Sequence, residues 1–405
     1  MPRLLFTFAL VLLAINAAAQ AQQKAAASGH YLFAWTGDAA SKGNDFLAVI
    51  DAEPGSPTYG HLVTTVATDQ QTMYAHHTEY TMPASGMLFA NDHDAGRTFI
   101  FDVRDPLHPK VATSFTDMDG YMHPHSFVRL PNGHVLGTFQ HAHHDMHMGD
   151  EHMGTSGALV EIDDTGKAIR SSSNADPAFR DSLLSPYGLV VLPELDRIVT
   201  TNSSMHDDDI LRGVTYQVWR LNDLKLLKTE YLDTGDNHYG QISPEEPRLG
   251  PDGAVYIQTL GCGIERITAI QSNAPKSQLV YNFPGNWCGV PTIVGHYLVQ
   301  SVPAIQSIVV IDIANGAKPI EVSRLKISDT FRPHWTSWDA KTQRLVVTGG
   351  EPRLFLLKLD IATGAITMDD TFHDEQGKPG FNFEDCAWPH GWKGTGKPHG
   401  VVFSR

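Results

Sequence analysis

One phrase recurs seven times along this chain of 405 residues: an apolar strand, usually closed by an acid or amide, followed by a turn with Gly, Pro or Asn. The copies are Phe46–Asp51, Phe99–Val103, Ala158–Asp163, Tyr216–Asn222, Gly263–Ile267, Ile308–Asp312 and Leu354–Asp360, spaced by roughly 45 to 60 residues. That period suits a four-stranded propeller blade. A second phrase, a turn and then an apolar strand, falls between copies. It reads as Leu130–Thr138, Leu192–Thr200, Gly250–Ile257 and Asp339–Thr348, each a hairpin joining the first two strands of a blade. Thirty-five Gly and 24 Pro, with few helix-like windows, agree with an all-β chain rich in turns. The expected fold is an all-β, seven-bladed β-propeller filling residues 22–405. Two sandwich domains are the alternative, and the steady repeat along the whole length disfavours them.

Residues 1–21 read as a secretion signal. Arg3 supplies the positive start, Leu4 to Ala19 is apolar, and Ala17-Ala18-Ala19 or Ala19-Gln20-Ala21 fits a small-residue cleavage site. The apolar run is short for a membrane span, and no other stretch approaches spanning length. The expected location is periplasmic or secreted, with no membrane attachment after cleavage. Asp and Glu number 45 against 30 Lys and Arg, and no basic stripe appears, which argues against nucleic acid as a partner. Three cysteines, Cys262, Cys288 and Cys386, are too few for a disulfide scaffold. In an oxidising compartment one pair can bridge, and Cys262 with Cys288 is the candidate.

Histidines recur at one phase of the repeat. His76-His77-Thr78, His123-Pro124-His125, Asn237-His238-Tyr239 and Arg332-Pro333-His334 each open a blade, just before its innermost strand. The other blades carry Ser185-Pro186-Tyr187-Gly188, Asn286-Trp287-Cys288-Gly289 and, at the end, Pro389-His390 and Pro398-His399-Gly400. Equivalent positions around an axis converge, and converging neutral imidazoles are what copper, iron or zinc requires. The metal candidates are therefore His76, His77, His123, His125, His238, His334 and His399. Tyr187 and Cys288 face the same opening as possible further ligands or redox partners. The competing reading is a set of ordinary polar residues plugging the channel mouth.

Gln140 to Ser156 breaks the rhythm with five His, three Met and three acids in 17 residues. It is a long excursion from one blade, and long loops on rigid scaffolds often carry function. Mixed His and Met without fixed spacing suits soft copper ligation, with His141, His143, His144, Met146, His147, Met148, His152 and Met153 as candidates. The alternative is a polar loop of accidental composition. No nucleophile elbow, Walker loop, dinucleotide fingerprint, Cys-x-x-Cys or haem attachment site is present in a suitable context.

Several of these motifs resemble the selenium-binding protein / methanethiol oxidase family. Tyr74-Ala75-His76-His77-Thr78 is similar to that family's His-His stretch near the first blade. Met122-His123-Pro124-His125-Ser126, followed by Leu130-Pro131-Asn132-Gly133, is similar to its His segment before a like hairpin. Ser185-Pro186-Tyr187-Gly188 and the strands Tyr216–Trp219 and Ile308–Asp312 follow in comparable order. The resemblance implies a seven-bladed propeller and, for bacterial members, copper-dependent oxidation of methanethiol by oxygen to formaldehyde, hydrogen sulfide and hydrogen peroxide. The family's cysteines after the His-His stretch are replaced here by Thr81-Met82-Pro83-Ala84-Ser85, the His/Met loop is foreign to the pattern, and the C-terminus differs. Fold and metal dependence thus carry over better than the substrate.

Three functions are expected to compete. The first is a secreted copper oxidoreductase acting on a small thiol or similar sulfur compound, with His77, His125, His238 and His334 holding the metal. The second is a non-enzymatic periplasmic copper-binding propeller in which the His/Met loop does the work. The third is a divalent-cation lactonase, which calls for carboxylate or Asn ligands at the axis. The sequence leaves the identity of the substrate, the metal and the oligomeric state open.

Overall fold

All seven copies of the repeated strand phrase take the same place: each is the third strand, counted from the axis, of an antiparallel sheet, four-stranded in six cases and five-stranded where Phe381–Asn382 also pairs with Arg353–Leu359. The computed structural model describes residues 29–142, 156–180, 182–205, 213–233 and 243–405. Seven such sheets form the propeller. Among the described residues there is no α-helix, only short 3-10 turns such as Pro193–Leu195. Residues 1–28, which include the stretch read as a secretion signal, and residues 143–155 of the His/Met loop lie outside the described residues.

The third strands are apolar on both faces because each is sandwiched between neighbouring blades. Phe99 and Phe101 pack with Trp35, Leu47 and Leu88, toward the blade before. Ile100, pointing the other way, packs with Phe127, Phe139 and Val160 of the blade after. The two-residue strand period thus feeds two interfaces at once. The four hairpins read from sequence also form. Gly133 closes the first of them at φ 88°, a left-handed conformation that favours glycine, and its N–H donates to Leu130 O at 2.9 Å.

The ring closes by joining the two ends of the chain. The strand Gly396–Phe403 is the innermost strand of the blade whose other strands are Tyr31–Asp38, Asn44–Asp51 and Leu62–Gln71. Its register pairs Leu32 with Phe403, Phe33 with Val402 and Ala34 with Val401. We number this closing blade 1. The innermost strands of blades 2 to 7 are then Ala75–Thr78, Tyr121–Arg129, Pro186–Leu192, Pro244–Leu249, Thr292–Val294 and Pro333–Asp339.

Six of these seven innermost strands slip register once, at equivalent places: Ala75/Thr78, Pro124/Phe127, Pro186/Leu189, Pro244/Pro247, Pro333/Trp335 and, in blade 1, opposite Ala34/Thr36. Such bulges leave residues out of the ladder and re-aim their side chains. In blades 3, 4, 5, 7 and 1 a proline stands directly before the bulge, where its missing N–H costs the ladder least.

Candidate metal centre

The bulges put His76-His77, His125-Ser126, Tyr187-Gly188, Glu245-Glu246, His334 and His399-Gly400 around the axis. A polar side chain on the second strand holds each of three bulges to the next blade. Asn91 Oδ1 accepts from His77 N at 2.8 Å while its Nδ2 donates to Pro124 O at 2.5 Å. Thr138 Oγ1 accepts from Ser126 N and donates to Tyr187 O, at 3.0 and 2.6 Å. Thr201 Oγ1 accepts from Gly188 N and donates to Glu245 O, at 2.9 and 2.5 Å. Adjacent innermost strands run so close that a Cβ on Gly400 would meet Thr78 N at 2.4 Å.

Five imidazoles meet as a result. His76 and His77 stack at 4.0 Å between centroids, and His125 stands edge-on to them at 4.9 and 4.5 Å. His399 lies 4.3 Å from His76 and 4.8 Å from His334. Two triads have ligand atoms within 4.8 Å of one another, His76–His334–His399 and His76–His77–His125, and His76 is common to both.

The rings are in the state a metal needs. Burial, followed by the neighbouring rings, holds His76, His77, His125 and His399 well below the usual imidazole range. Burial and then the Lys397 charge push His334 down to about 4. Neutral imidazole is the ligating form. His76 Nδ1, both nitrogens of His77, Nε2 of His125 and both nitrogens of His399 are buried without a hydrogen-bond partner. Buried polar atoms are almost always paired, so six orphaned nitrogens in one cluster need an explanation, and an ion supplies one.

A buried carboxylate stands behind the deeper triad. Glu246 Oε1 accepts from Ser126 Oγ at 3.0 Å and lies 3.8 and 3.9 Å from Nδ1 of His77 and His125. Its Oε2 accepts from Tyr80 OH at 2.5 Å and pairs with Arg248 at 3.3 Å. His125 Nδ1 bonds Ser126 Oγ at 3.0 Å, which orients the ring. Tyr80 stacks on Trp335 at 5.0 Å, and the Arg248 guanidinium caps Tyr80 at 3.9 Å.

The other triad faces a cavity of about 470 Å³. His76, His334 and His399 share its lining with Tyr74, Tyr187, Glu245, Leu260, Trp287, Arg332 and Lys397, whereas His77 and His125 do not reach it. Burial first, with the Glu246 charge adding to it, pushes the Glu245 carboxyl up to about 8 against the bond donated by Gln258. Tyr187 lies against His125, with ring centroids 3.5 Å apart, and burial raises its phenol well above the usual range.

Of the residues expected at the axis, His76, His77, His125, His334, His399 and Tyr187 come together. His123 does not join a triad. It precedes the bulge with a left-handed φ of 55°, and its ring lies 5.8 Å from His93 and 5.3 Å from His141. Cys288 is not available as a ligand or redox thiol, because its sulfur is bonded to Cys262 and both residues are buried in the core between blades. That bond is the pairing expected for an oxidising compartment, and Cys386 is left free. His238 lies outside the described residues, and so do His143, His144, Met146, His147, Met148, His152 and Met153. Blade 5 carries Glu245-Glu246 at its bulge, the place where His238 was expected. Turn counting reveals it: Pro124, Pro186 and Pro244 stand seven residues before Pro131, Pro193 and Pro251. Two acidic side chains therefore do occupy the axis, but Glu246 spends both oxygens on Ser126, Tyr80 and Arg248, unlike a ligand for a hard cation.

No protein-family model matches the chain. Fold and motifs together define a β-propeller with a distant resemblance to the selenium-binding protein / methanethiol oxidase family. Two curated relatives carry that likeness. A methanethiol oxidase from Hyphomicrobium sp. is 33% identical over 215 residues, covering 50% of this chain and 47% of the relative. A methanethiol oxidase from Ruegeria pomeroyi is 30% identical over 146 residues, covering 34% of this chain and 31% of the relative. The matches therefore span about half the length of these relatives or less. Among solved structures, a hypothetical selenium-binding protein from Sulfolobus tokodaii superimposes with a TM-score of 0.71 at 14% identity, covering 92% of this chain and 93% of that one. A periplasmic gluconolactonase from Pseudomonas aeruginosa gives 0.63 at 12%, covering 93% and 99%. At such identities these two structures report the fold alone.

Proposed function

We propose that this chain is a secreted, copper-dependent oxidoreductase acting on a small thiol or related sulfur compound. The observation that carries the metal is the cluster of neutral imidazoles with six orphaned, buried nitrogens. The sulfur substrate is supported by the two methanethiol oxidase relatives. Secretion is supported by the apolar N-terminal segment and by the Cys262–Cys288 bond.

His76, His334 and His399 would hold the copper where it meets the cavity, with His77 and His125 as the deeper ligands. Iron and zinc are the alternatives that imidazole donors also accept. Bound copper supplies one-electron and oxygen chemistry that side chains cannot perform. The overall reaction balances as thiol, dioxygen and water giving aldehyde, hydrogen sulfide and hydrogen peroxide. The carbon–sulfur bond breaks and two electrons pass to oxygen. The chain's own groups set the stage. Burial raises the Glu245 carboxyl to about 8, which favours its protonated form at neutral pH beside the cavity it lines. Tyr187 stays a neutral phenol against His125. Glu246 and Ser126 fix the orientation of His125.

The test is oxygen uptake by copper-loaded protein given methanethiol, with sulfide and peroxide assayed alongside. Uptake that requires copper, and that iron and zinc do not restore, is the expected result. Copper bound in stoichiometric amount with no uptake on any thiol would leave the non-enzymatic copper-binding propeller as the function.

A further inference from the structure

The blades that contribute His334 and His399 share a feature absent from the others. Arg332-Pro333-His334 and Lys397-Pro398-His399 are the same triplet, cation, proline and histidine, on adjacent blades 7 and 1. At the same position blade 3 has His123, blade 4 has Ser185 and blade 5 has Ser243. The register slip turns each histidine to the axis. Each cation, two residues earlier, is exposed and lines the cavity. Among the described residues neither Arg332 nor Lys397 forms a side-chain ion pair or hydrogen bond. The acidic lining differs, since Asp94 bonds His93 Nδ1 at 2.9 Å and Glu245 accepts from Gln258 at 3.0 Å. In a chain of net charge −15, two cations at one cavity with no side-chain partner among the described residues are a local exception that draws anions.

Size points the same way. A one-carbon thiol has two heavy atoms and fills roughly twice the ~30 Å³ share of a water molecule. The cavity holds about 470 Å³, within the range of sites that enclose larger ligands. Leu260, Pro303 and the half-exposed Trp287 ring add an apolar wall.

We infer that the cavity selects small anionic thiols bearing a carboxylate or sulfonate, whose charge pairs with Arg332 and Lys397. The inference rests on the thiol oxidoreductase reading above. An anion held by the two cations leaves its far end toward His334 and His399, two residues along each strand. That direction presents the sulfur to the cavity-facing triad. Arg332 and Lys397 are thus specificity-determining positions.

The experiment compares 3-mercaptopropionate, 1-propanethiol and cysteamine, close in size and differing in charge, as oxygen-uptake substrates of copper-loaded protein. Calorimetric binding of butyrate, which has no thiol to oxidise, runs beside it. Both are repeated with the double variant Arg332→Gln, Lys397→Gln, whose changes are at exposed positions. The expected result is 3-mercaptopropionate over 1-propanethiol over cysteamine in kcat/KM. In the double variant the ratio of the first two should fall roughly tenfold, the scale of charge-assisted contacts at a partly exposed site. Equal use of the three thiols, or a ratio unmoved by the variant, overturns the inference and leaves the oxidase reading intact. If no thiol consumes oxygen, that reading has failed. Butyrate binding that disappears in the variant then still supports the anion site, and butyrate binding that is absent or unchanged overturns it.

Discussion

Phe99, Ile100 and Phe101 are wholly buried between blades with no polar side-chain atom left over, whereas His77, on the innermost strand of the same blade, is as deeply buried with both ring nitrogens unbonded. The two regions belong to one sheet and obey opposite rules. Around these third-strand residues the ring body is an apolar cluster. At the axis a buried donor or acceptor without a partner costs on the order of 1–3 kcal/mol, and several are gathered there. A chain tolerates such a concentration only where the surrounding structure imposes it and a ligand relieves it. The difference separates what folds this protein from what it does.

Replacing His76 breaks the comparison most sharply. It belongs to both triads, and the rings it meets are those of Tyr74, His77, His93, His125 and His399, so His76→Ala should abolish stoichiometric central metal while leaving the circular dichroism of the sheets unchanged. Metal analysis beside a thermal melt checks both halves. Trp35→Ala is the converse. It empties the core between blades 1 and 2, where the indole packs against Phe99 and Phe101 at 5.7 and 5.4 Å, and should cost about 3–5 kcal/mol in denaturant unfolding. Metal per folded chain should not change.

Asn91 joins the two regions, so Asn91→Ala should move both readouts. Loss of its bonds to His77 N and Pro124 O should cost about 1–3 kcal/mol and weaken metal affinity, while Asn91→Asp, which keeps the acceptor, should retain more of each. A further prediction concerns a polar residue inside the ring body. Burial, and then the Asp92 charge, push Asp45 up to about 9 from 3.8. A raised carboxyl favours the protonated form in the folded state, so the contribution of Asp45 to stability is full below about pH 4 and is lost as pH rises toward about 9. Asp45→Asn should flatten that decline, which urea melts at pH 5 and pH 8 would show. Parallel slopes in the two proteins would refute it.

The ring body was the more legible region. Third strands are buried on both faces, so they appear in sequence as mainly apolar runs, and all seven were found at their places. The hairpins followed from their Pro and Gly turns. The axis was legible only in part, because a bulge displaces the two-residue period that strand reading relies on. His76, His77, His125, Tyr187, His334 and His399 were found through their shared phase. His123, two residues before His125, was counted with them, but its backbone turns it toward His93 and His141. Glu245 and Glu246 were missed because a nearby histidine, His238, drew attention from the proline register that marks them. The clamps Asn91, Thr138 and Thr201 had a visible signal, a polar residue inside an apolar second strand, whose meaning depends on the neighbouring blade. Cys288 shows a further limit: its phase matched the ring, yet its sulfur turns into the core to meet Cys262.

The most direct measurement is the metal content of the mature protein, purified without a His tag and dialysed against a mild chelator, beside the same protein lacking residues 141–153. The account predicts about one copper per chain in both, held by the axial imidazoles. Copper that disappears with the loop, or no retained metal in either protein, would contradict it.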